Sequence, residues 1–515
     1  MDIYLNREAC YRALLTRDAR FDGRFYTAVV STGIFCRPIC PARPPKIENC
    51  VFLPSAAAAH QMGFRPCLRC RPELTPGLGA WLGSANTVSR ALYLISEGAL
   101  NGASVENLAE RVGVTSRHLR RLFDHHVGAT PVSVAQMQRI LLVKKLLDET
   151  RMSMAEIAMA SGFGSIRRFN ATMRKCYGRT PTELRRRAAA DNRMPADGIR
   201  VKLPFTPPYD WSGMLAFLAA RAIPDVEAVQ AGTYCRTFAV GSARGIVEVE
   251  ADPDHSQLLA KIRTSDVSVV GTIAARLRRL FDLDAEIMAI DGHLAADVLF
   301  DRRVRNRPGL RVPGAWDSFE LAVRAILGQQ ISVAGATTLA GRLAALLGER
   351  LEAEIAGADG PVRTVFPAAA SIAAANLTGI GLTRTRAATL QTLARTMANS
   401  PDLLRSYETL DVTVAKLQAL PGVGPWTAQY IAMRALREPD AFPASDLGLL
   451  KAVAAGGRRL SPTELLKRAE AWRPWRAYAA VRLWLQPPAD EDVRKQSRGR
   501  AIARRPGTDH YQSIE

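Results

Sequence analysis

The chain has 515 residues, 48% of them apolar, and this length predicts about three or four domains with packed cores. Its formal net charge of +20 and pI near 10.0 indicate a polyanionic partner, although a merely solvated basic surface stays open. No apolar run approaches the roughly 18 residues of a membrane span, and the N-terminal letters MDIYLNREAC lack the order of a secretory signal.

Four of the eight cysteines form two close pairs, Cys36 with Cys40 and Cys67 with Cys70. In a chain expected in the cytosol, this spacing predicts a zinc site rather than disulfide bonds. Zinc would keep the sulfurs as thiolates, which gives the site a charge near about −2 and makes the sulfurs nucleophilic. On spacing alone, a purely structural zinc site stays open.

The residues around these cysteines, TGIFCRPIC from Thr32 and GFRPCLRC from Gly63, closely resemble the N-terminal domain of the Ada family. The resemblance covers roughly residues 1–73. It implies that Cys36 irreversibly accepts a methyl group from a methylphosphotriester in DNA. It also implies one zinc ion, which both shapes the site and activates the acceptor, on four ligands: Cys36, Cys40, Cys67 and Cys70.

Methylation of one thiolate would change the charge of the site from about −2 to about −1, and weaker repulsion from phosphate would tighten DNA binding. The resemblance places DNA contacts at Thr32, Arg43 and Arg65. Pro41 stands where the family has an arginine, which weakens the contact assignment but not the zinc site. Cys10 and Cys50 are expected to be ordinary buried cysteines.

The next block, residues 89–187, is strongly basic, with 17 Lys or Arg against 8 Asp or Glu from Arg90 to Arg187. It contains a degenerate repeat in which a short helix, a glycine turn at Gly113 or Gly162 and an arginine-rich second helix follow one another. Two helix-turn-helix units joined by a helix over Ala135–Leu147 are therefore predicted. The pair resembles the DNA-binding domain of AraC-type transcription regulators.

The resemblance implies DNA binding by the N-terminal ends of the two recognition helices. The expected base-facing residues are Thr115, Ser116, Arg117, Arg120, Ser165, Arg167 and Arg168. For each of them, a phosphate contact or a solvated side chain stays open. Segments 73–88 and 187–200, which flank this block, are predicted linkers because they are rich in small and polar residues.

Beyond the second linker, strand-like patterns at Thr233–Val240, Gly245–Val249 and Val267–Val270 predict an α+β subdomain. Leu258–Ile262 and Ala274–Phe281 are expected to be helical. From Trp316 onward the pattern is helical, and these helices are predicted: Phe319–Leu327, Val333–Leu347, Ala368–Ala375 and Arg384–Met397. The basic tail 488–515 is expected to be disordered.

The most informative stretch is Leu420–Asp446, which begins with the letters LPGVGPW. Apolar helical spacing before and after these letters predicts a helix, a tight hairpin and a second helix. Glycines in the hairpin can leave N–H groups free at a helix N-terminus, where a phosphate binds without base readout. Asp446 follows in an apolar run, and a plain helix-capping role for it stays open. The stretch resembles the helix-hairpin-helix DNA glycosylases.

Four motifs in order resemble 3-methyladenine DNA glycosylases of the AlkA family over about 200–487: PPYDW with FLAAR, VRAILGQ, the hairpin, and WRPWRAY. Breaking an N-glycosidic bond builds positive charge on the sugar, and a fixed carboxylate stabilises that charge and can orient water. Asp446 is the acid placed for this role. Glycosylases that also cut the strand have a lysine at the position of Trp426, so a monofunctional enzyme is expected.

The target base must leave the duplex, and cationic bases such as 3-methyladenine and 7-methylguanine are attracted by aromatic rings. By family position the substrate pocket is Phe217, Trp426, Tyr430 and Trp484, although any one of these could be core. Phosphate contacts are expected at Gly422, Gly424 and Thr427, and a monovalent cation on the carbonyls of Gln418, Leu420 and Val423. The chain departs from the family pattern at two positions. Gln330 replaces the leucine that fills the gap of the flipped base, and Leu447 replaces a tyrosine, so the substrate range is expected to differ.

These resemblances imply a multidomain, mainly α-helical protein: a small zinc α+β domain (1–73), a double helix-turn-helix domain (89–187), an α+β subdomain (200–305) and a helical helix-hairpin-helix glycosylase domain (306–487). The expected function is bifunctional: methyl sensing with transcription activation, and excision of alkylated bases. Two alternatives stay open, a regulator whose glycosylase-like half only binds damage, and a glycosylase with a structural zinc domain. Expected partners are damaged and promoter double-stranded DNA and RNA polymerase, in a bacterial cytoplasm at the nucleoid and without a membrane.

Overall fold

The computed structural model describes residues 6–18, 21–75, 86–188, 198–357, 360–377, 379–399, 404, 410–454 and 460–485. Within these ranges the fold is multidomain and mainly helical, which confirms the predicted fold class. The predicted linkers lie largely, and the tail 488–515 wholly, outside the described residues. Among the described residues, no helix is both long enough and apolar enough to span a lipid bilayer.

The zinc domain is built on a small sheet whose strands run in the order Cys50–Leu53, Tyr26–Val29, Ile34–Cys36 and Arg65–Pro66. The last two strands are parallel, with Phe35 opposite Pro66, whereas the other pairs are antiparallel. Two helices cover the sheet, Arg7–Thr16 and Ala56–Gln61. Cys36 is the last residue of one strand, and Cys67 directly follows the neighbouring parallel strand. Both cysteines therefore lie at the same end of this strand pair.

The helix-turn-helix domain consists of seven helices. Their bounds are Asn86–Ser96, Val105–Arg111, Ser116–Val127, Pro131–Glu149, Met154–Ala160, Ile166–Tyr177 and Pro181–Ala188. Gly113 and Gly162 have positive φ angles of 73° and 75° at the two predicted turns, a conformation that glycine adopts without strain. The long central helix begins at Pro131, four residues before the predicted start, because Thr130 caps it.

The α+β subdomain contains a five-stranded antiparallel sheet in the order Ile199–Pro204, Gln257–Thr264, Ala243–Asp252, Thr233–Val240 and Glu227–Gln230. The predicted helix at Leu258–Ile262 is wrong, because this segment pairs with strands on both sides. The predicted strand at Val267–Val270 is also wrong. There Asp266 accepts hydrogen bonds from Ser268 and starts a short 3-10 turn, which leads into helix Val270–Leu280.

Helices make up most of the remaining chain, and those predicted at 319–327, 333–347, 368–375 and 384–397 are confirmed within two residues at each end. The bounds of the helices are Trp211–Ala219, Ile287–Ala295, Val298–Asn306, Ser318–Leu327, Val333–Leu347, Ala353–Ala356, Ala369–Ala374, Arg384–Asn399, Leu410–Gln418, Pro425–Arg434, Leu447–Ala452, Pro462–Ala469 and Arg476–Trp484. A two-stranded ribbon pairs Glu349–Arg350 with Thr364–Val365.

Three large cores organise the described residues. The first runs without interruption from the zinc domain through the helix-turn-helix domain to the five-stranded sheet. Polar contacts also join these parts: Ser55 donates to the carbonyl of Val127 at 2.7 Å, and the backbone N–H of Lys202 donates to Glu149 at 3.0 Å. The other two cores are helical and lie in the C-terminal half, and Tyr430 packs against both.

Candidate functional site

The four predicted zinc ligands come together in the structure. The Sγ atoms of Cys36, Cys40, Cys67 and Cys70 all lie within 4.8 Å of one another. Backbone N–H groups point at two of the sulfurs, from Arg37 to Cys70 at 3.3 Å and from Arg69 to Cys67 at 3.4 Å. Hydrogen bonds from the three other thiols lower the pKa of Cys67 well below its usual range. Four cysteine sulfurs this close together, two of them accepting from backbone N–H groups, fit a zinc ion, which takes four such ligands.

Cys36 differs from the other three ligands in its exposure. It is partly exposed, whereas Cys40, Cys67 and Cys70 are buried. The neighbouring Arg37 is also buried, where it pairs with Asp22 and donates to the carbonyl of Cys70 at 3.0 Å. Cys36 is thus the least buried residue of the four.

The residues predicted to contact DNA around this centre are accessible. Thr32, Arg43 and Arg65 are all exposed. Arg37, in contrast, is paired inside the protein with the carboxylate of Asp22. Its positive charge is therefore shared between Asp22 and the cysteine sulfurs. Cys10 and Cys50 are buried away from the cluster, and burial raises the pKa of both thiols, as expected for unreactive cysteines.

The two recognition helices of the helix-turn-helix domain have equivalent beginnings. The hydroxyls of Thr115 and Ser165 cap them by accepting from the N–H groups of His118 and Arg168 at 3.3 and 3.2 Å. The arginines predicted to face bases are exposed, namely Arg117, Arg120, Arg167 and Arg168. Arg120 forms an exposed ion pair with Glu106 at 3.0 Å, which DNA could displace at little cost. Ser116 is half-buried.

The predicted hairpin lies between helices Leu410–Gln418 and Pro425–Arg434. Gly422 has a φ of +82°, and a Cβ there would lie 2.1 Å from the hydroxyl of Thr389. Gly424 is the N-cap of the second helix, and a Cβ there would meet nothing within 4 Å. The predicted contact residue Thr427 is buried, and its hydroxyl accepts from the side chain of Gln329 at 3.0 Å.

Asp446 lies where two tryptophan side chains converge. Its Oδ1 accepts from the indole N–H of Trp484 at 2.9 Å and from the backbone N–H of Leu449 at 3.0 Å, while its Oδ2 accepts from the indole of Trp426 at 2.8 Å. Asp446 is therefore also the N-cap of helix Leu447–Ala452, and the two interpretations left open by the sequence are both compatible with its position. Three donors fix the orientation of the carboxylate.

The aromatic rings form one wall around this carboxylate. Trp426 stacks on Tyr430 with ring centres 5.2 Å apart and an angle of 11°, and Tyr430 lies 6.1 Å from Trp484. The fourth predicted pocket residue, Phe217, is 1% exposed, and among the described residues no ring contact joins it to these three. Its ring is instead covered by the guanidinium of Arg221 at 3.7 Å.

The residue predicted to fill the gap of a flipped base, Gln330, is exposed with a φ of +58°. Its neighbour Gln329 donates to the carbonyl of Gly422 at 2.8 Å, so the loop of Gln330 and the hairpin are tied together. Sequence reasoning did not single out this role of Gln329. It also missed Gly448, where a Cβ would lie 2.9 Å from Asp446 and 3.3 Å from Trp484. Its position two residues after Asp446 was the signal that could have found it.

Comparison with known protein families identifies three matches. Residues 9–73 match the metal-binding domain of Ada, residues 108–187 a helix-turn-helix domain, and residues 200–317 the AlkA N-terminal domain. These three matches follow one another along the chain in the order in which the structure shows the zinc domain, the helix-turn-helix helices and the five-stranded sheet.

The chain is also similar to individual proteins. It is 41% identical over 489 residues to a Mycobacterium tuberculosis protein described as "Probable bifunctional transcriptional activator/DNA repair enzyme AlkA", covering 94% of this chain and 97% of that one. It is 38% identical to DNA-3-methyladenine glycosylase 2 of Escherichia coli, over 55% of this chain and 95% of that one. It is 32% identical to the Bacillus subtilis activator and repair enzyme AdaA, over 34% of this chain and 81% of that one.

Both halves of the chain are therefore represented in one relative that matches nearly its whole length, and each half has a further relative of its own. The zinc-ligand cluster, the paired helix-turn-helix units and the hairpin with its following acid all occur within these matched regions. The chain belongs to the family of bifunctional transcriptional activator/DNA repair enzymes that join an Ada-type metal-binding domain and a helix-turn-helix domain to an AlkA-type DNA glycosylase.

Proposed function

We propose that the C-terminal half hydrolyses the N-glycosidic bond of alkylated bases such as 3-methyladenine and 7-methylguanine, with Asp446 as its catalytic carboxylate. The observation that carries this proposal is the set of three N–H donors, from Trp426, Trp484 and Leu449, that hold this carboxylate beside the stacked rings. A group fixed before the reaction stabilises developing charge without the cost of reorganisation.

The chemistry follows from the position of each group. As the bond between C1′ and the base nitrogen breaks, its electron pair stays on the base and positive charge develops on the sugar. Asp446 stabilises that charge and orients the water that adds to C1′. Trp426 and Trp484 donate their indole N–H groups, which lie in the ring planes, to the carboxylate, and one face of Trp426 is covered by Tyr430. A base turned out of the duplex would stack on a ring face that these contacts leave uncovered.

The product of this reaction is an abasic site in an uncut strand. Cleavage of the strand would require an amine to form a Schiff base at C1′. Trp426 occupies the position where strand-cutting relatives have a lysine, and its side chain is committed to Asp446 and Tyr430. Gln330 and Leu447, both exposed, differ from the family pattern at the DNA-facing edge and are expected to change the range of bases accepted.

Replacement of Asp446 by asparagine tests this mechanism. Asparagine still caps helix Leu447–Ala452, so the fold is preserved, but the negative charge is lost. We expect base release from methylated duplex DNA to fall by about 10²–10³-fold, while affinity for the same DNA stays within about twofold. Persistent base release in the variant would contradict the proposal, and unchanged affinity excludes a general loss of structure.

In the N-terminal half, the proposed methyl acceptor is Cys36, the ligand that is partly exposed. Its sulfur attacks the methyl carbon of a methylphosphotriester, an S–C bond forms, the O–C bond breaks, and the phosphate regains its negative charge. A zinc ion held by Cys36, Cys40, Cys67 and Cys70 would keep the sulfur as a thiolate. The less negative site would then bind DNA more tightly, and the helix-turn-helix units would activate transcription with RNA polymerase.

Peptide mass after incubation with methylphosphotriester DNA tests this half. We expect the peptide that contains Cys36 to gain about 14 Da, the mass of one CH₂. The peptides that contain Cys67, Cys70 and Cys50 should gain no mass. Cys50 is the matched control because it is a buried thiol of the same domain. If no cysteine gains mass, the zinc site is structural and the C-terminal half acts alone.

The hairpin is also proposed to hold a monovalent cation on the backbone carbonyls of Gln418, Leu420 and Val423. In the structure the carbonyl of Leu420 accepts from the N–H of Val423 at 3.1 Å, which closes the turn and leaves a second lone pair free. DNA affinity measured in potassium or in tetramethylammonium at equal ionic strength tests this. Weaker binding in tetramethylammonium supports the cation, and equal binding contradicts it.

A further inference from the structure

Two guanidinium groups, that of the half-buried Arg221 and that of the buried Arg434, lie against the aromatic residues of the proposed pocket. The Cζ of Arg221 is 3.7 Å from the centre of the Phe217 ring, and the Cζ of Arg434 is 4.7 Å from the same ring. Arg434 is also 5.6 Å from the ring of Tyr430, and it donates to the hydroxyl of that tyrosine at 2.8 Å. The face of Phe217 on which a cationic base would stack is thus already covered by a cation.

The local structure fixes both side chains. Arg434 donates to the carbonyls of Pro313 and Gly314 at 2.7 and 2.8 Å. Arg221 donates to the carbonyl of Phe217 at 3.2 Å, and Arg324 donates to the carbonyl of Arg221. The guanidinium of Arg434 is therefore firmly held, and that of Arg221 is positioned by one hydrogen bond and by its contact with the Phe217 ring.

The carboxylates of Glu227, Asp317 and Glu320 line the same cavity as Arg221 and Arg434. The two buried acids of this region, Glu227 and Glu320, are paired with Arg236 and Arg324 at 2.7 to 3.4 Å. Within the described part of the chain, no ion pair joins Arg221 or Arg434 to an acid. Burial alone would raise the pKa of Tyr430, but the charges of Arg434 and Arg221 outweigh it and lower that pKa.

We propose that Arg221 is a specificity-determining residue that favours neutral bases over cationic bases as leaving groups. The inference rests on the proposed glycosylase function, and its physical basis is the different charge of the two leaving groups. When the C1′–N bond breaks, the electron pair turns a cationic base into a neutral one, but it turns a neutral base into an anion. The positive charge of Arg221 stabilises the anion that forms when a neutral base leaves. The same charge opposes the binding of a cationic base.

The test compares two single-lesion duplexes, one with 7-methylguanine as the cationic base and one with hypoxanthine as the neutral base. We measure kcat/KM for each with the full chain and with Arg221→Gln, which removes the charge, and Arg221→Lys, which keeps it. In Arg221→Gln we expect the ratio of 7-methylguanine to hypoxanthine release to rise about tenfold, mainly because hypoxanthine release falls. In Arg221→Lys the ratio should stay within about twofold of the wild-type value.

Arg305→Gln is the matched control, because this arginine is 70% exposed and pairs only with its helix neighbour Asp301 among the described residues. Its ratio should equal that of the wild type. If Arg221→Gln lowers both rates by the same factor, Arg221 only supports the packing of Phe217 and the inference is overturned. If the wild-type chain releases neither base, the proposed function itself fails, a result that is distinct from an unchanged ratio.

Discussion

The two proposed reactive centres of this protein are built in different ways. Cys36 belongs to a cluster of four sulfurs within 4.8 Å, drawn from strand ends and loops of a small domain. Asp446 is held instead by three N–H groups from two helices and a helix N-terminus, between two helical cores. In the first centre a bound zinc ion would join the four sulfurs, whereas in the second the packing of separate helices positions the acid.

The difference fits the two proposed reactions. A methyl acceptor is used only once, so its reactive sulfur can also be a ligand of the metal centre. Methylation of that sulfur then changes the charge of the domain. A glycosylase must turn over, so its carboxylate makes no covalent bond and is surrounded by groups that do not change. We therefore expect the two centres to respond independently when either is disturbed.

The largest expected effect is that of zinc removal. Binding of structural zinc contributes about 10–16 kcal/mol in zinc-finger peptides, so a chelator should unfold the segment around the four cysteines. Base release should stay within about twofold, because Asp446 and its rings pack in cores that contain no residue of the zinc domain. Hydrogen exchange of residues 21–75, followed alongside base release, measures both. A parallel loss of base release would show that the centres are coupled through the shared first core.

A smaller effect is expected from Trp484→Phe, which removes one N–H donor from Asp446 but keeps an aromatic ring. A hydrogen bond to a charged group contributes about 1.5–3 kcal/mol, so base release should fall roughly ten- to a hundredfold. Single-turnover kinetics with saturating enzyme measures this step. Trp475→Phe is the matched control, since Trp475 contacts His293 rather than the pocket, and it should change the rate by less than about twofold. Equal losses in both variants would contradict the assigned role of Trp484.

The smallest effect concerns the hairpin, whose turn depends on the backbone conformation of Gly422. In Gly422→Ala, a Cβ would meet Thr389 at 2.1 Å at a φ of +82°, so we expect a loss of about 1–2 kcal/mol in unfolding free energy. Gly424→Ala is the control, because a Cβ there meets nothing within 4 Å, and it should cost less. Thermal unfolding of the two variants shows which substitution lowers the unfolding free energy more. A greater loss in Gly424→Ala would mean that helix capping, not the turn, limits this region.

The two centres also differ in how far the sequence could predict them. The cysteine pairs are close in the chain and their spacing matches zinc geometry, so the cluster was predictable from residue type and position alone. The partners of Asp446 are distant in sequence, and the hydrogen bonds from Trp426 and Trp484 depend on the packing of separate helices. Family position indicated these rings but not that their N–H groups face the carboxylate.

Prediction of the fold from the sequence was also limited by contacts between distant segments. Helices with strong apolar periodicity, such as Val333–Leu347, were predicted with their observed bounds. Leu258–Ile262 contains residues that favour helices, yet it is a strand because pairing on both sides outweighs intrinsic propensity. Arg221 and Arg434 looked like ordinary basic residues of a basic chain, and only the folded chain shows that both guanidinium groups lie against the ring of Phe217.

The most direct test of the account is one incubation of the full chain with randomly methylated duplex DNA. Released bases are identified by chromatography, and the Cys36 peptide is weighed from the same sample. The account predicts free 3-methyladenine together with a gain of about 14 Da on that peptide. Bases without the mass gain would contradict the sensor role of Cys36, and the mass gain without bases would contradict the role of Asp446.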